Sequence, residues 1–444
     1  MEHFDVIVIG TGVAGQTAAG ELAEAGLSVA VTDAREYGGT CALRGCEPKK
    51  VLFTAADVVE RAQQQCGNGL AGELGLDWPA LMTFKRTFTE PVPERIESWL
   101  AGIGVAPLHG PARFVSADVI EVDGVRYSAD RFVVAPGAIP RPLDIPGEEH
   151  VLDSEGFMAA DHVGERVVFI GGGYVSFEFA HIAATAGAKV TILHRRPRVL
   201  EPFDADLTEM LVRAYKGSDI DVLTDAAVTE VRSDDGGFSV VCEQGLEVSA
   251  DTVVHGAGRV PALAGLDLDA AGVAFGPRGI EVDTRMRSAT NPRVYAAGDA
   301  AASGAPLTPV ATAQARVAVA DILEPGSREF APSAIPSVVF SDPVLASVGM
   351  TEEQARERGI DVEAKLTDTS GWAASRRIGE RVSGAKILVE RGTGRIVGAH
   401  LLGHTAGEII NVFALAMACG QTADELKRAI WAYPTGASEI PHLL

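Results

Sequence analysis

Two stretches of the chain repeat one pattern of hydrophobic and polar positions. The first begins with an apolar run at Asp5–Gly10, continues through an Ala- and Glu-rich segment, and ends in a second apolar run at Leu27–Asp33. The second leads from Arg166–Gly171 through a helix predicted near Tyr174–Ala186 to Lys189–His194. Each stretch predicts a β-α-β unit, and such units build parallel, doubly wound sheets. We therefore expect an α/β fold with two Rossmann-like nucleotide-binding domains.

The pattern changes after about Pro332. Short runs rich in strand-forming residues follow, at 336–340, 385–389 and 396–402. The last two flank Glu390–Arg395, which predicts a hairpin turn. Thr351 and Thr422 each stand at capping-box spacing before a Gln or Glu, which predicts two helix starts. The C-terminal region is therefore expected to be a separate α+β domain.

The turn after the first predicted strand carries a glycine fingerprint. Gly10, Gly12 and Gly15 have the spacing Gly-x-Gly-x-x-Gly. These glycines permit a tight turn and let a pyrophosphate approach the backbone at the start of the helix. Asp33 ends the second strand, where a carboxylate accepts hydrogen bonds from a ribose. The pattern predicts a dinucleotide site, and a glycine turn without a ligand is the alternative.

The second unit carries a variant of this fingerprint. Gly171 and Gly173 are followed by Ser176, which is still small, in place of the third glycine. The strand end that corresponds to Asp33 carries a basic run, His194-Arg195-Arg196. An acid at that position binds the 2′-hydroxyl of NADH, whereas guanidinium groups favour the 2′-phosphate of NADPH. The run predicts NADPH, and a solvated surface run of arginines is the alternative.

Length and charge limit the classes of partner. The chain has 444 residues and a net charge of −22. The acidic balance argues against nucleic acid or an anionic membrane as a partner. No apolar run approaches the roughly 18–20 residues that span a bilayer, and we expect no signal peptide. Five sparse cysteines do not suit a secreted disulfide scaffold, so a cytoplasmic location is expected.

Cys41 and Cys46 form a candidate redox pair. In a regular helix, Cα atoms at this spacing lie about 8.6 Å apart, whereas disulfides join Cα atoms about 4.4–6.8 Å apart. A bond between these cysteines needs a distorted turn, and strained disulfides are easily reduced. Neither Cys66 nor His3 has the spacing of a further metal ligand. Two unrelated cysteines or a metal site are the alternatives, and no metal is expected.

The run from Gly38 to Lys50, Gly-Gly-Thr-Cys-Ala-Leu-Arg-Gly-Cys-Glu-Pro-Lys-Lys, resembles the class I pyridine nucleotide–disulfide oxidoreductases. This family includes glutathione reductase, dihydrolipoamide dehydrogenase, mycothione reductase and mercuric reductase. Further segments resemble the family in its order: Gly171–Glu178, Gly256–Pro261, Tyr295–Asp299, Leu307–Ala311 and Pro336–Pro343. The resemblance covers essentially the whole chain. It implies an FAD-binding domain at 1–150 and 261–332, an NAD(P)H-binding domain at 151–260 and a dimerisation domain at 333–444.

The resemblance also implies roles. Electrons would pass from NADPH through FAD to the Cys41–Cys46 disulfide, and on to a small disulfide or another small oxidant. Cys46 would face the flavin, and Cys41 would be the outer thiol that attacks the substrate. Lys49 would pair with Glu178 near the flavin. The remaining FAD contacts would be Gly10, Gly12, Gly15, Asp33, Gly39, Thr40, Lys50, Gly137, Asp299 and Ala311. The NADPH contacts would be Gly171, Gly173, Tyr174, Arg195, Arg196 and Gly258. Family sites use both subunits, so a homodimer is implied.

The chain departs from the family near its C-terminus. The family carries a His-Pro pair followed by a Glu, and the His is the acid/base for the outer thiol. Here Tyr433 stands at the His position, and Glu439 is the following acid. Tyrosine has an ordinary pKa of about 10, against about 6.5 for histidine, so it is a poor proton shuttle at neutral pH. Tyr433 and Glu439 are candidate catalytic residues, and a packing or solvent-facing aromatic is the alternative for Tyr433.

Three functions are compatible with these patterns. An NADPH-dependent disulfide reductase is favoured. Gly20, where glutathione reductases carry a cation, argues against glutathione disulfide as the substrate. A metal-ion (Hg or Cu) or quinone reductase on the same scaffold is favoured by the missing His and disfavoured because the vicinal C-terminal cysteines of mercuric reductases are absent. The third is a redox-sensing protein with little turnover.

Overall fold

The structure is a computed structural model that describes residues 1–234 and 236–444. It contains two compact units. The first comprises Met1–Lys50, Thr83–Arg141 and Arg259–Pro332, and the second comprises Val51–Met82, Pro142–Gly258 and Ser333–Leu444. The boundaries at 150, 260 and 332 expected from the sequence stay a prediction.

The described residues form alternating strands and helices. The strands are β1 (Glu2–Ile9), β2 (Val29–Asp33), β3 (Ala106–His109), β4 (Ala112–Ser116), β5 (Val119–Val122), β6 (Val125–Val134), β7 (Ala138–Pro140), β8 (Arg166–Ile170), β9 (Lys189–Leu193), β10 (Ile220–Leu223), β11 (Val228–Asp234), β12 (Gly237–Cys242), β13 (Glu247–Ala250), β14 (Thr252–His255), β15 (Arg259–Pro261), β16 (Phe275–Gly276), β17 (Gly279–Ile280), β18 (Val294–Ala296), β19 (Ser337–Val339), β20 (Leu345–Gly349), β21 (Val362–Asp368), β22 (Gly384–Glu390) and β23 (Ile396–Leu402). The helices are α1 (Val13–Glu24), α2 (Gly39–Arg44), α3 (Cys46–Gln64), α4 (Trp78–Thr89), α5 (Val92–Gly102), α6 (Ser154–Ala159), α7 (Tyr174–Thr185), α8 (Ala205–Ala214), α9 (Thr308–Leu323), α10 (Glu352–Glu357), α11 (Ala373–Ile378), α12 (Ala406–Ala418), α13 (Ala423–Arg428) and α14 (Ile440–Leu443).

The first unit is built on a seven-stranded sheet in the order β3-β2-β1-β6-β5-β4, with β18 paired to β6. The strands β1, β2, β3, β6 and β18 run parallel, whereas β4 and β5 add an antiparallel extension. Val6, Ile7 and Val8 of β1 are fully buried. Consecutive apolar residues suit a central parallel strand that is covered on both faces, and this strand is one of those expected from the sequence.

The first strand and its partner differ in length from the sequence expectation. β1 begins at Glu2 rather than Asp5, and β2 begins at Val29 rather than Leu27. Ser28 explains the later start of β2, because its backbone N–H and its hydroxyl both donate to the Asp5 carboxylate, each at 2.7 Å. Register then sets Val6 opposite Val29.

The second unit holds three sheets. A four-stranded parallel sheet has the order β10-β9-β8-β14, and a three-stranded antiparallel sheet has the order β11-β12-β13. The C-terminal region forms a five-stranded antiparallel sheet, β19-β20-β23-β22-β21. The predicted hairpin joins β22 to β23, and the capping boxes at Thr351 and Thr422 are both present. The expected α/β fold with two Rossmann-like units and an α+β C-terminal domain is confirmed.

Candidate active site

The two candidate redox cysteines lie on either side of a helix break. Cys41 lies in α2, and Cys46 is the first residue of α3. Gly45 separates these helices with φ −147° and ψ −115°, far from helical geometry. A side chain here would collide with Thr40, because a Cβ on Gly45 would lie 2.8 Å from the Thr40 carbonyl oxygen. The chain thus makes the distorted turn that a Cys41–Cys46 bond requires.

One hydroxyl contacts both sulfurs. The Thr308 Oγ1 donates to Cys41 Sγ at 3.4 Å and lies 3.5 Å from Cys46 Sγ. Thr308 is the first residue of α9. A hydrogen bond with Cys46, and then burial, raise the pKa of the Cys41 thiol well above its usual range, while the Thr308 hydrogen bond opposes that rise. Two sulfurs coupled in this way lose their protons as a pair and not independently.

The first glycine fingerprint forms an open cradle. Gly12 caps α1 without a side-chain hydrogen bond, and a Cβ there would meet no atom within 4 Å. Gly10 has φ +106° and packs against Ala135, so a side chain there would overlap the Ala135 carbonyl. Free N–H groups at a helix start, with open space above them, suit a phosphate group.

Thr11 connects this cradle to the cysteine segment. Its backbone N–H donates to Asp33 Oδ2 at 2.7 Å, and its hydroxyl donates to the same oxygen at 2.6 Å. The Gly38 N–H donates to the Thr11 hydroxyl at 3.2 Å. Gly39, with φ +70°, packs on Gly12 so closely that a side chain would overlap its Cα. Hydrogen bonds and close packing therefore join Asp33, the first glycine fingerprint and the start of α2, which carries Cys41.

Two later segments of the first unit complete the cradle. Gly298 has φ +69°, and a Cβ there would lie 3.3 Å from Ala311 Cβ and 3.7 Å from Ala14 Cβ. Because Gly298 lies against Ala14 of α1 and Ala311 of α9, the next residue, Asp299, lies near these two helices. Burial raises the pKa of Asp299, and the charge of Arg259 opposes that rise. Gly137, with φ +76°, follows the end of β6.

The second fingerprint is similarly built. Gly173 caps α7 without a side-chain hydrogen bond. Gly171 has φ +108° and packs on Gly256, whose backbone lies 2.6 Å from a Cβ placed on Gly171. The buried Ser176 hydroxyl donates to the Gly171 carbonyl at 2.5 Å, which shows how serine fits at the third glycine position. Gly258, with φ +107°, follows shortly after β14.

The three residues of the basic run after β9, His194, Arg195 and Arg196, have different surroundings. The Gly172 N–H donates to His194 Nδ1 at 3.0 Å, and His194 Nε2 lies 3.0 Å from the Arg198 carbonyl. Burial lowers the pKa of His194, so the ring is neutral at pH 7. Arg196 is paired with Glu201 at 2.6 Å. Arg195 is exposed and has no ion pair within the described part of the chain.

The other predicted catalytic residues lie in several places. Glu178 on α7 is buried and accepts a hydrogen bond from the Phe340 N–H at 3.0 Å. Tyr433 is 87% exposed, and burial raises the pKa of Glu439. Lys49 belongs to the first unit and Glu178 to the second, and their pairing stays a prediction. The remaining predicted positions are Thr40 in α2, Lys50 in α3 and Tyr174 at the start of α7.

Comparison with known proteins bears directly on this arrangement. The family described as "Pyridine nucleotide-disulphide oxidoreductase" matches residues 4–315, and its dimerisation domain matches residues 335–444. The chain belongs to this family. A dihydrolipoyl dehydrogenase from Geobacillus stearothermophilus is 30% identical, over 97% of this chain and 93% of that protein. A glutathione reductase from Burkholderia cepacia is 31% identical, over 98% of this chain and 97% of that protein.

A solved structure extends this comparison. The Cu(II) complex of the HOCl-induced flavoprotein disulfide reductase RclA from Escherichia coli has a TM-score of 0.90 and 27% identity, over 100% of this chain and 99% of that chain. As a family member, the chain is a flavin-dependent oxidoreductase of the disulfide reductase class that uses FAD and a pyridine nucleotide. The two uncapped glycine cradles fit two such dinucleotides. The matched dimerisation domain supports a homodimer.

The described residues hold neither a helix suited to cross a bilayer nor a cluster of side chains suited to hold a metal ion. None of their helices is both long enough and apolar enough to cross a bilayer. Residues 1–234 and 236–444 contain no group of three or more His, Cys, Asp or Glu side chains that could hold a metal ion.

Sequence reasoning missed Thr308 as a site residue. Its segment, Leu307–Ala311, resembles the family, but only the fold brings it against Cys41 and Cys46. The available signal was the Thr308-Pro309 pair, because proline in the first turn marks a helix start, and the first residues of a helix can reach groups beyond its end.

Proposed function

We propose that the chain is an NADPH-dependent reductase in which the Cys41–Cys46 pair reduces a small disulfide. The observation that carries the proposal is the shared contact of both sulfurs with Thr308 at a helix break. FAD held at the Gly12 cradle and a nicotinamide nucleotide held at the Gly173 cradle would supply the two electrons that reduce the pair. Cys41, held in α2, would attack the substrate, and Cys46 would resolve the mixed disulfide. A cytoplasmic location suits such a dithiol because that compartment is reducing.

The preference for NADPH is supported by the charges around the second fingerprint. His194 provides the hydrogen-bond acceptor that an acid would provide, but without negative charge. A carboxylate there would repel a 2′-phosphate. Arg195 is exposed and unpaired within the described residues, so it is available to bind that phosphate, whereas Arg196 must first leave Glu201.

The substrate is proposed to be a disulfide other than glutathione disulfide. A Cβ on Gly20 would lie 3.0 Å from the Trp99 ring, so the indole covers the position where glutathione reductases carry a cation. The net charge of −22 further disfavours an anionic substrate. Tyr433, exposed on the dimerisation domain, is free to reach a partner subunit and to hydrogen-bond a substrate there.

Metal-ion reduction is a second candidate. It is favoured by the likeness to RclA, whose solved structure is a Cu(II) complex, and by the tyrosine at the family's histidine position. Delivery of electrons to a metal ion needs no protonation of a leaving thiol, so the loss of the histidine would be tolerated. The Cys41 and Cys46 sulfurs would be the ligands for the incoming ion.

The test is NADPH consumption by the holoenzyme with a matched set of acceptors. The set contains glutathione, mycothiol, coenzyme A and lipoamide disulfides, together with Hg(II), Cu(II) and a quinone. We expect turnover with one disulfide that is lost in Cys41→Ser and in Cys46→Ser but retained in Cys419→Ser, which removes an exposed cysteine far along the chain. Turnover with Cu(II) or Hg(II) but with none of the disulfides would contradict disulfide reduction and support metal-ion reduction. Normal flavin reduction without turnover of any acceptor would indicate a redox sensor.

A further inference from the structure

We propose that the Thr308 hydroxyl is a catalytic residue that moves a proton between Cys41 and Cys46 in the reduced pair. The inference deepens the proposed function and rests on the redox role of the pair. It gives the chain a way to produce a Cys41 thiolate although tyrosine stands at the position of the family's acid/base histidine.

The geometry provides a continuous hydrogen-bonded path. A threonine hydroxyl has one proton to donate and two lone pairs that accept. Thr308 Oγ1 donates to Cys41 Sγ at 3.4 Å, and at 3.5 Å from Cys46 Sγ it can accept the proton of that thiol. Both distances lie within the range for hydrogen bonds to the larger sulfur atom. The hydroxyl therefore bridges the two reacting atoms.

The proton transfer balances without another reactant. A reduced pair that holds one proton consists of one thiol and one thiolate. When Cys41 carries the proton, the thiol gives it to Thr308 Oγ1, and Thr308 gives its own proton to the Cys46 thiolate. The products are a Cys41 thiolate, a Cys46 thiol and an unchanged threonine. No electron moves, and the net charge of the three groups stays constant.

The position of Thr308 supports this role. It begins α9, whose cap residue Leu307 makes no side-chain hydrogen bond to the helix. The positive end of the helix dipole therefore faces the sulfurs and stabilises a thiolate on either one. The negative charge of Glu47 acts in the opposite sense on Cys41. Because α9 packs along α1, the hydroxyl is held in place against the pair.

The test measures how fast iodoacetamide alkylates Cys41 in the reduced, full-length holoenzyme between pH 5 and pH 10, with mass spectrometry of the modified peptide. Thr308→Val removes the hydroxyl and keeps the shape of the side chain. Thr308→Ser keeps the hydroxyl. Thr312→Val is the matched control, because Thr312 lies one turn further along α9 and its hydroxyl donates to the Thr308 carbonyl.

We expect the pH midpoint of Cys41 alkylation to rise by about one unit in Thr308→Val, since a hydrogen bond to a charged group is lost. Thr308→Ser and Thr312→Val should match the wild type. Identical midpoints in Thr308→Val and the wild type would overturn the inference. If Thr308→Val does not fold, Thr308→Ala is judged by the same criterion.

Failure of the proposed function gives a different result. Thiol counting after addition of NADPH to the oxidised wild type shows whether the Cys41–Cys46 disulfide is reduced. A pair that NADPH does not reduce overturns the proposed function, and the inference fails with it. A reducible pair whose Cys41 profile is insensitive to Thr308→Val overturns the inference alone.

Discussion

His194 and Asp33 occupy equivalent positions at the ends of the second strands of the two fingerprints. Each accepts a hydrogen bond from the glycine loop: Asp33 from the Thr11 N–H and His194 from the Gly172 N–H. The loop is therefore held in the same way in both cradles, but with a charge in one and without a charge in the other. The carboxylate of Asp33 and the uncharged ring of His194 are therefore the basis for expecting different nucleotides at the two sites.

His194→Asp should shift the nucleotide preference from NADPH towards NADH. The carboxylate would still accept from Gly172, but it would repel a 2′-phosphate, and we expect the ratio of kcat/KM for NADPH to that for NADH to fall about tenfold or more. His194→Asn, a neutral acceptor, is the control and should keep the ratio near that of the wild type. Steady-state kinetics with both nucleotides decides between these outcomes, and an unchanged ratio in His194→Asp would show that this position does not select the nucleotide.

Tyr433→His should increase disulfide turnover if Tyr433 reaches the substrate in the dimer. A histidine titrates near pH 6.5, so it can protonate a leaving thiol at neutral pH. We expect kcat to rise and to gain a pH dependence centred near pH 6–7. Tyr433→Phe removes only the hydroxyl and shows whether that group contributes already. Unchanged pH profiles of kcat in both variants would show that Tyr433 takes no part in turnover.

At the scale of elements, sequence patterns predicted the strands, helices and turns whose formation depends on neighbouring residues of the chain. The strand β8, the helix α7 and the hairpin between β22 and β23 follow from apolar periodicity and turn residues, and the structure has them within a residue or two. Thr308 was not predicted as a site residue because its role depends on a contact between segments far apart in sequence. The sequence pattern predicts the end of β2 at Asp33 correctly. It does not predict the start of β2, because that start depends on a hydrogen bond between Ser28 and Asp5.

The junction between β14 and α7 gives a test at this scale. Gly256 lies so close to Ser176 that a Cβ on Gly256 would overlap the Ser176 hydroxyl. Gly256→Ala should therefore displace the second fingerprint and weaken the binding of the pyridine nucleotide by about an order of magnitude. The double variant Gly256→Ala with Ser176→Gly removes the clash and should recover much of that loss. Titration of nucleotide binding measures both, and additive losses would show that the two residues do not interact.

At the scale of the whole molecule, we expect two partly buried carboxyl groups, Asp342 and Glu380, to make the stability of the fold depend on pH. Burial, followed by the negative charges of Glu60, Glu380 and Asp57, raises the pKa of Asp342 to about 7, while Arg61 opposes the rise. Burial also raises the pKa of Glu380 to about 7. A carboxyl whose pKa is raised on folding stabilises the fold most when it is protonated. That contribution is complete below pH about 4 and is lost as the pH rises through 7.

These groups should make the protein less stable at pH 7.5 than at pH 5.5. Between these values each carboxyl can cost at most about 1.4 kcal/mol per pH unit, the limit for one proton. Asp342→Asn, which cannot ionise, should flatten this dependence. Thermal unfolding of the holoenzyme at several pH values measures the effect, and Glu90→Gln, an exposed carboxylate in the first unit, is the control. An equal slope in Asp342→Asn and the wild type would contradict the assignment.

The pairing of β18 with β6 has a consequence for the newly made chain. Residues 132–134 of β6 lie beside 294–296, so the first sheet lacks one strand until the ribosome has produced roughly 300 residues. At about 5–20 residues per second, the roughly 160 residues between the end of β6 and the end of β18 take on the order of 8–32 seconds. During that interval the buried end of β6 has an open edge, and this edge is a target for chaperones and for unwanted strand pairing. We expect cofactor loading to wait as well, because Asp299, a predicted FAD contact, and α9 are made after β18.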